Sequence, residues 1–133
     1  MRTSIFSAVI ALCIGFSSCS ISCIPGEGVI VEKEIDLDLI NGIVAEGSID
    51  VELSYGPNQK VTVRGYENHL EMLVTDVDRK IWTIEFQENV CNDDLKVMVQ
   101  LPEFKSIYMR GSGDVTGSTP IQSTDLEVEM EGS

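Results

Sequence analysis

A short apolar strand running into Gly-Ser and then an Asp recurs along this chain, and no other feature of the sequence restricts the fold as much. Ile43-Val-Ala-Glu-Gly47-Ser48-Ile-Asp50-Val51 matches Ile107-Tyr-Met-Arg-Gly111-Ser112-Gly113-Asp114-Val115, and Val128-Glu-Met-Glu-Gly132-Ser133 begins a third copy. Gly111 and Gly132 are 21 residues apart, and Gly47 and Gly111 are 64 apart, close to three times 21. A period of roughly 20 residues that carries strands predicts stacked β-coils: one coil cannot bury its inner face, so neighbours must supply the core and pair the strand edges. Gly at the end of each short strand permits the backbone geometry of a tight corner. Asp three residues later can accept from nearby amides and hold that corner.

Between these copies the pattern stays at period two. Val29 and Val31 alternate with Ile30 and Glu32, Ile35, Leu37 and Leu39 with Asp36 and Asp38, and Val51 and Leu53 with Glu52 and Ser54. Val61 and Val63 alternate with Thr62 and Arg64, and the runs 81–86, 95–101 and 126–130 behave alike. Each run presents one apolar and one polar face, as half-buried strands do. Turn chemistry separates them at Asn41-Gly42, Gly56-Pro57-Asn58, Asn92-Asp93-Asp94 and Leu101-Pro102. The only helix-like piece is the short 68–74. Aromatics make up only 6%, so Val, Ile and Leu must build the core, with Trp82 expected as packing.

The first segment reads as an address. Arg2 precedes an apolar run over 5–16, too short for a helix to cross a bilayer about 30 Å thick. The run ends Phe16-Ser17-Ser18-Cys19-Ser20, which resembles the lipobox of bacterial lipoproteins, with Phe16 in place of the commoner Leu. That resemblance implies cleavage after Ser18, acylation of Cys19 and, with Ser20 following, the outer membrane of a diderm bacterium. More than one acyl chain on a cysteine gives stable anchoring. Cys13 leaves with the signal, so Cys23 and Cys91 remain. In an oxidising compartment they are expected to pair, the alternative being two separate buried thiols.

Chemistry is sparse. A net charge of −13 repels phosphate backbones and anionic headgroups, which argues against nucleic acid and against a basic membrane patch. No Gly-x-Ser-x-Gly elbow and no phosphate-binding Gly-Lys motif occurs. The one histidine, His69, is expected at the surface, and with two distant cysteines it makes no metal set. Asp50 and Asp114 are too sparsely spaced for a calcium-binding β-roll. The acidic sets Asp36/Asp38 and Glu127/Glu129/Glu131 lie on polar strand faces as solvated charge. Neither a cofactor nor a catalytic site is expected.

Taken together, these residues resemble the auto-transporter adhesin head, or GIN, domain family. The hallmark is an apolar strand leading into Gly-Ser-Gly-Asp-Val, here 107–115, with weaker copies at Gly47-Ser48-Ile49-Asp50-Val51 and Gly132-Ser133. Cys23-Ile-Pro-Gly26-Glu-Gly28, Tyr66-Glu-Asn68 and Lys96-Val-Met-Val-Gln-Leu-Pro102 fit as well. The resemblance implies an all-β, right-handed parallel β-helix-like solenoid whose short strands end in Gly-Ser-x-Asp corners, and an adhesin-like, non-catalytic surface role. With the leader and lipobox reading above, the chain is expected to carry a signal over 1–18, an anchor and leading loop over 19–28, and a solenoid over 29–133, expected to be incomplete at its C-terminal coil. The expected partners are the membrane, through the N-terminal lipid, and an unidentified protein or glycan. Self-association through the open last coil is the alternative, making this a structural envelope protein without a soluble ligand.

Overall fold

The computed structural model describes residues 22–91 and 94–132. In chain order the strands are β1 (Ile24–Pro25), β2 (Ile30–Ile35), β3 (Gly42–Gly47), β4 (Asp50–Tyr55) and β5 (Lys60–Tyr66). A single helical turn, α1 (Glu67–Leu70), follows. Then come β6 (Val77–Asp78), β7 (Ile81–Ile84), β8 (Val90–Cys91), β9 (Lys96–Leu101), β10 (Ser106–Gly111), β11 (Val115–Gly117) and β12 (Glu127–Glu131). The protein is all-β, and its sheets do not close into a barrel. One sheet has the order β12-β10-β3-β7-β6 and the other β11-β4-β9-β5-β2, while β1 pairs with β8 apart from both.

The three copies of the repeat are neighbours in register. Ser106 of β10 faces Gly42 of β3, an offset of 64, and Gly111 faces Gly47. On the other side Ser106 faces Glu127 of β12, an offset of 21. The offset of 64 persists past the corner, where Val115 of β11 faces Val51 of β4. The inward rows this register creates are Trp82-Ile43-Ile107-Val128 and Ile84-Ala45-Met109-Met130. Opposite them stand Val51, Leu53, Val61, Val63, Val97 and Val99 of the second sheet, in the same core. The β-branched residues of the alternating runs thus meet across two inner faces, as pleated half-buried strands require.

Two expectations are corrected. The offset of 64 is not three coils of 21. Copies 42–55 and 106–117 touch directly, and the chain between them makes an excursion to the far side of the stack. It runs through β5 and β6, then returns as β7 and β9, which pair in parallel with β3 and β4. Nor is the stack a uniformly parallel solenoid. β5 is antiparallel to both β9 and β2, and β6 is antiparallel to β7. Antiparallel strands therefore cover the end of the parallel stack, which shields an edge that would otherwise offer unpaired backbone groups.

The returning coil is a disguised copy. Gly42 faces Ile81, an offset of 39, whereas Asp50 faces Lys96, an offset of 46, so its corner is seven residues longer than that of the first copy. Its Gly-Ser signal is replaced by a loop that carries Cys91. The run 35–39 is also not a strand past Ile35, because the pairing of β2 with β5 ends at Ile35 opposite Val61. Leu39 is consequently 73% exposed. The helical piece is limited to Glu67–Leu70.

Candidate interaction surface

The Gly-Ser corners stack as a ladder. Gly47 has φ 93° and Gly111 φ 141°, values that L side chains rarely adopt. A Cβ on Gly111 would meet the backbone of Gly47, and one on Gly113 the backbone of Ile49. A Cβ on Gly132 would lie 2.8 Å from the Gly111 carbonyl oxygen. The missing side chains allow one corner to rest directly on the next. Across this contact Ser112 N–H donates to the Gly47 carbonyl at 3.0 Å, and Val51 N–H to the Asp114 carbonyl at 2.8 Å. Asp50 Oδ1 accepts from Asp114 N–H at 3.1 Å, so this carboxylate holds the corner of the next copy rather than its own. Of the expected repeat positions, Gly47, Ser48, Asp50, Gly111, Ser112, Gly113, Asp114 and Gly132 fall on these corners. Ser133 lies outside the described residues, as does Cys19, the expected acylation site.

Open polar grooves run beside the ladder. One, of about 510 Å³, is lined by Glu46, Ser48, Glu85, Phe86, Gln87 and Asn89, among others. A second, of about 360 Å³, is lined by Ser48, Asp50, Arg64, Asp94 and Lys96. A third, of about 210 Å³, is bounded by Asp50, Lys96, Asp114 and Thr116. Lys96 Nζ stands 2.8 Å from Glu52 Oε2. The hydrogen bond and charge of Lys96 hold the Glu52 carboxyl below its ordinary range. Beside Phe86, Val90, Ile30, Leu95 and Val51, the linings supply carboxylates, amides, hydroxyls and two cations, a set that can hydrogen-bond a polar surface. Among the described residues no three His, Cys, Asp or Glu are grouped to hold a metal ion.

The second constellation fastens the segment that follows Cys19. Cys23 and Cys91 form a disulfide with Cα atoms 5.2 Å apart and a sequence separation of 68. β1 therefore lies in the stretch expected to be a leading loop, paired in parallel with β8. Ile24 N–H donates to the Asn89 carbonyl at 2.8 Å. Asn68 Nδ2 donates to the Pro25 carbonyl at 2.9 Å, and Asn68 Oδ1 accepts from Glu27 N–H at 3.0 Å. His69 Nε2 lies 3.0 Å from the Ile24 carbonyl oxygen, which can only accept, so that nitrogen carries the hydrogen. Gly26 rests against the Tyr66 ring, where a Cβ would collide.

The expected surface position of His69 is thus overturned: it is 2% exposed. Tyr66 and Phe86 pack against it in T-shaped contacts, with ring centroids 5.7 and 6.0 Å away. One ring nitrogen is committed to the chain's own backbone. Trp82 is fully buried and donates from Nε1 to the Val74 carbonyl at 2.9 Å.

β12 is joined to the stack by side chains as well as by its ladder. Arg110 reaches Glu46 Oε1 from Nη1 at 3.4 Å and Glu131 Oε2 from Nε at 3.9 Å. The Tyr108 phenol is raised above its usual pKa, first by its hydrogen bond to Glu127, then by burial and by the nearby charges of Glu127 and Glu129. A raised folded pKa means a contribution present below the unfolded value and lost as pH rises through the folded one. In an ultraviolet titration, Tyr108→Phe is expected to remove a phenolate transition above pH about 10, and Glu127→Gln to move that transition down. An unmoved transition in Glu127→Gln would show that β12 does not hold this register.

Comparison with known proteins places this geometry. A crystal structure described as a putative adhesin from Parabacteroides merdae superposes with TM-score 0.74 at 19% identity, over 80% of this chain and 46% of that one. A putative adhesin from Bacteroides fragilis gives TM-score 0.72 at 16% identity, over 82% of this chain and 53% of that one. A putative lipid binding protein from Parabacteroides distasonis gives TM-score 0.72 at 23% identity, over 82% of this chain and 49% of that one. These likenesses show the shared fold, and the chain spans about half the length of each of these structures. No curated protein matches the sequence. The sequence profile described as putative auto-transporter adhesin, head GIN domain, matches residues 40–133, and the chain belongs to that family.

Proposed function

We propose that this chain is an exported, lipid-anchored, non-catalytic module that presents its β-stack at the cell surface for adhesin-like contacts. The observation that carries this reading is the fastening of residues 23–27 onto the stack by the Cys23–Cys91 bridge, Asn68 and His69. Such a bridge persists in oxidising compartments outside the cytosol. It leaves few residues between an acylated Cys19 and the folded body, so the stack would be held close to the membrane. Membership of an adhesin-head family and the polar grooves along the corners support contact with a protein or glycan partner. The parallel part of the stack reads as right-handed β-helix coils, the hand that crossovers between parallel strands overwhelmingly take.

The test uses Cys19→Ala expressed in a diderm host. The wild-type chain is expected in the outer-membrane fraction and the variant in the soluble periplasmic fraction. An identical distribution of the two would remove the anchoring claim. The alternative is self-association without a soluble ligand. It predicts oligomers in detergent-solubilised protein by light scattering, and a monomer would set it aside.

A further inference from the structure

The outer face of the second sheet sorts its charges by strand. In register, one row crosses it as Asp50 of β4, Lys96 of β9, Arg64 of β5 and Glu32 of β2. Two cations thus stand directly opposite one another in the middle of the row, which is destabilising until an anion offsets it. Lys96 has such an anion: its ammonium reaches Glu52 at 2.8 Å. Asp50, opposite Lys96, is engaged elsewhere, its Oδ1 accepting from Asp114 N–H. Arg64 is exposed, and among the described residues its guanidinium forms no ion pair, not even with Glu32 across the ladder. It lines the groove of about 360 Å³ that these strands share, at the end of the stack covered by antiparallel strands.

The rest of the lining selects the ligand. Asp50 and Asp94 bring carboxylates, Ser48 a hydroxyl, and Ile30, 37% exposed, an apolar side. The carboxylates can only accept, so they call for ligand hydroxyls. A guanidinium presents a planar fork of N–H donors that matches a carboxylate in bidentate fashion. The ligand that satisfies both carries one carboxylate among several hydroxyls, on a ring with C–H surface for Ile30. An acidic peptide is a poorer fit, because its further carboxylates would meet Asp50 and Asp94 and it offers no hydroxyls to them. A densely sulfated or phosphorylated polymer would be repelled by a chain of net charge −13. The neighbouring groove, bounded by Asp114 and Thr116, shares Asp50 and Lys96 with this one, so an oligosaccharide has room to continue past Arg64.

We propose that the groove at Arg64 binds a pyranose sugar acid of a polysaccharide, with its carboxylate on the Arg64 guanidinium and its hydroxyls on Ser48, Asp50 and Asp94. Bound there, the carboxylate offsets the opposition of Arg64 and Lys96. This gives the adhesin-like reading a ligand class and rests on it for biological setting, but not for the binding itself.

The probes are trimers of galacturonate, mannuronate and glucuronate, each also as its methyl ester, and a peptide of glutamates, all offered to the intact, detergent-solubilised chain. Calorimetry should show at least one uronate trimer binding at millimolar concentration or below, with its methyl ester and the peptide at least about tenfold weaker. Arg64→Ala should weaken the free acid by at least about tenfold and leave the ester unmoved. Arg64→Lys, which keeps the charge but not the fork, should recover only part of that loss. Lys105→Ala removes an equal charge from an exposed site outside the groove and should bind as wild type does. In the wild-type chain, which needs no variant to fold, three results would each overturn the proposal: no uronate trimer bound, acid and ester bound equally, or the peptide bound as tightly as the sugar. An equal loss in Lys105→Ala and Arg64→Ala would reduce the effect to net charge and overturn it too. None of these failures touches the anchoring claim, which is read from the Cys19→Ala fractionation.

Discussion

Breaking the Cys23–Cys91 bridge is expected to be the most damaging single change to this protein. The bridge spans 68 residues, and chain-entropy reasoning for loops of that length gives about 4 kcal/mol of stabilisation. For a domain of this size that corresponds to a fall in Tm of roughly 15 °C or more. The double variant Cys23→Ser, Cys91→Ser should melt that much lower than wild type by circular dichroism, and wild type under reductant should melt with it. The loss should begin at the N-terminal segment, because β1 is only two residues long and has the bridge at its border. Exchange at Ile24 and Glu27 should then rise before exchange in the core strands does. A melting temperature indifferent to reductant would mean that Asn68 and His69 alone hold the segment.

The second large effect concerns the corner ladder. Gly113→Ala would place a Cβ into the backbone of Ile49, where no flexible side chain can yield, so the two copies must separate. Gly111→Ala meets the backbone of Gly47 at φ 141° and adds conformational strain to the collision. Gly113→Ala should cost about 2 kcal/mol from overpacking, and Gly111→Ala about 4 kcal/mol, because strain adds a similar term there. Gly28 is the control. It has φ 83° and nothing within 4 Å of the position a methyl group would take, so Gly28→Ala should lose only about 1 kcal/mol. Chemical denaturation of the three variants would decide it. Equal losses at Gly28 and Gly113 would show that the corners do not bear on one another.

Much of this architecture is legible in the sequence, for identifiable reasons. Alternation at Val51/Leu53, Val61/Val63 and Val97/Val99 marks strands because these residues face a shared core and their neighbours face water. The Gly-Ser corners are legible because close backbone approach excludes any other residue at Gly111 and Gly113. The pairing of Cys23 with Cys91 is anticipated once Cys13 and Cys19 are assigned to the leader and its lipid. What stays hidden depends on distant partners. Alternation continues to Leu39, yet a strand also needs a neighbour, and the ladder to β5 ends at Ile35 opposite Val61. The coil 81–101 is invisible as a repeat because seven additional residues replace its corner. The hairpin between β6 and β7 carries no turn signal, since Arg79 and Lys80 adopt φ 48° and 65° without Gly or Asn. His69 looks like a surface residue because its environment comes from Tyr66, Phe86 and a carbonyl 45 positions away in sequence.

The corners, the bridge and the antiparallel strands fit one arrangement. The N-terminal segment is fixed to the stack at the Cys91 loop, and the antiparallel strands cover one end of the stack.

The most direct test of this account is the intact mass of the protein extracted from the membrane fraction, taken with and without reduction. The account predicts a chain beginning at Cys19 with added acyl mass, and a gain of two hydrogens when the Cys23–Cys91 bridge is reduced. An unmodified chain that retains Met1 would contradict export, anchoring and the surface role together.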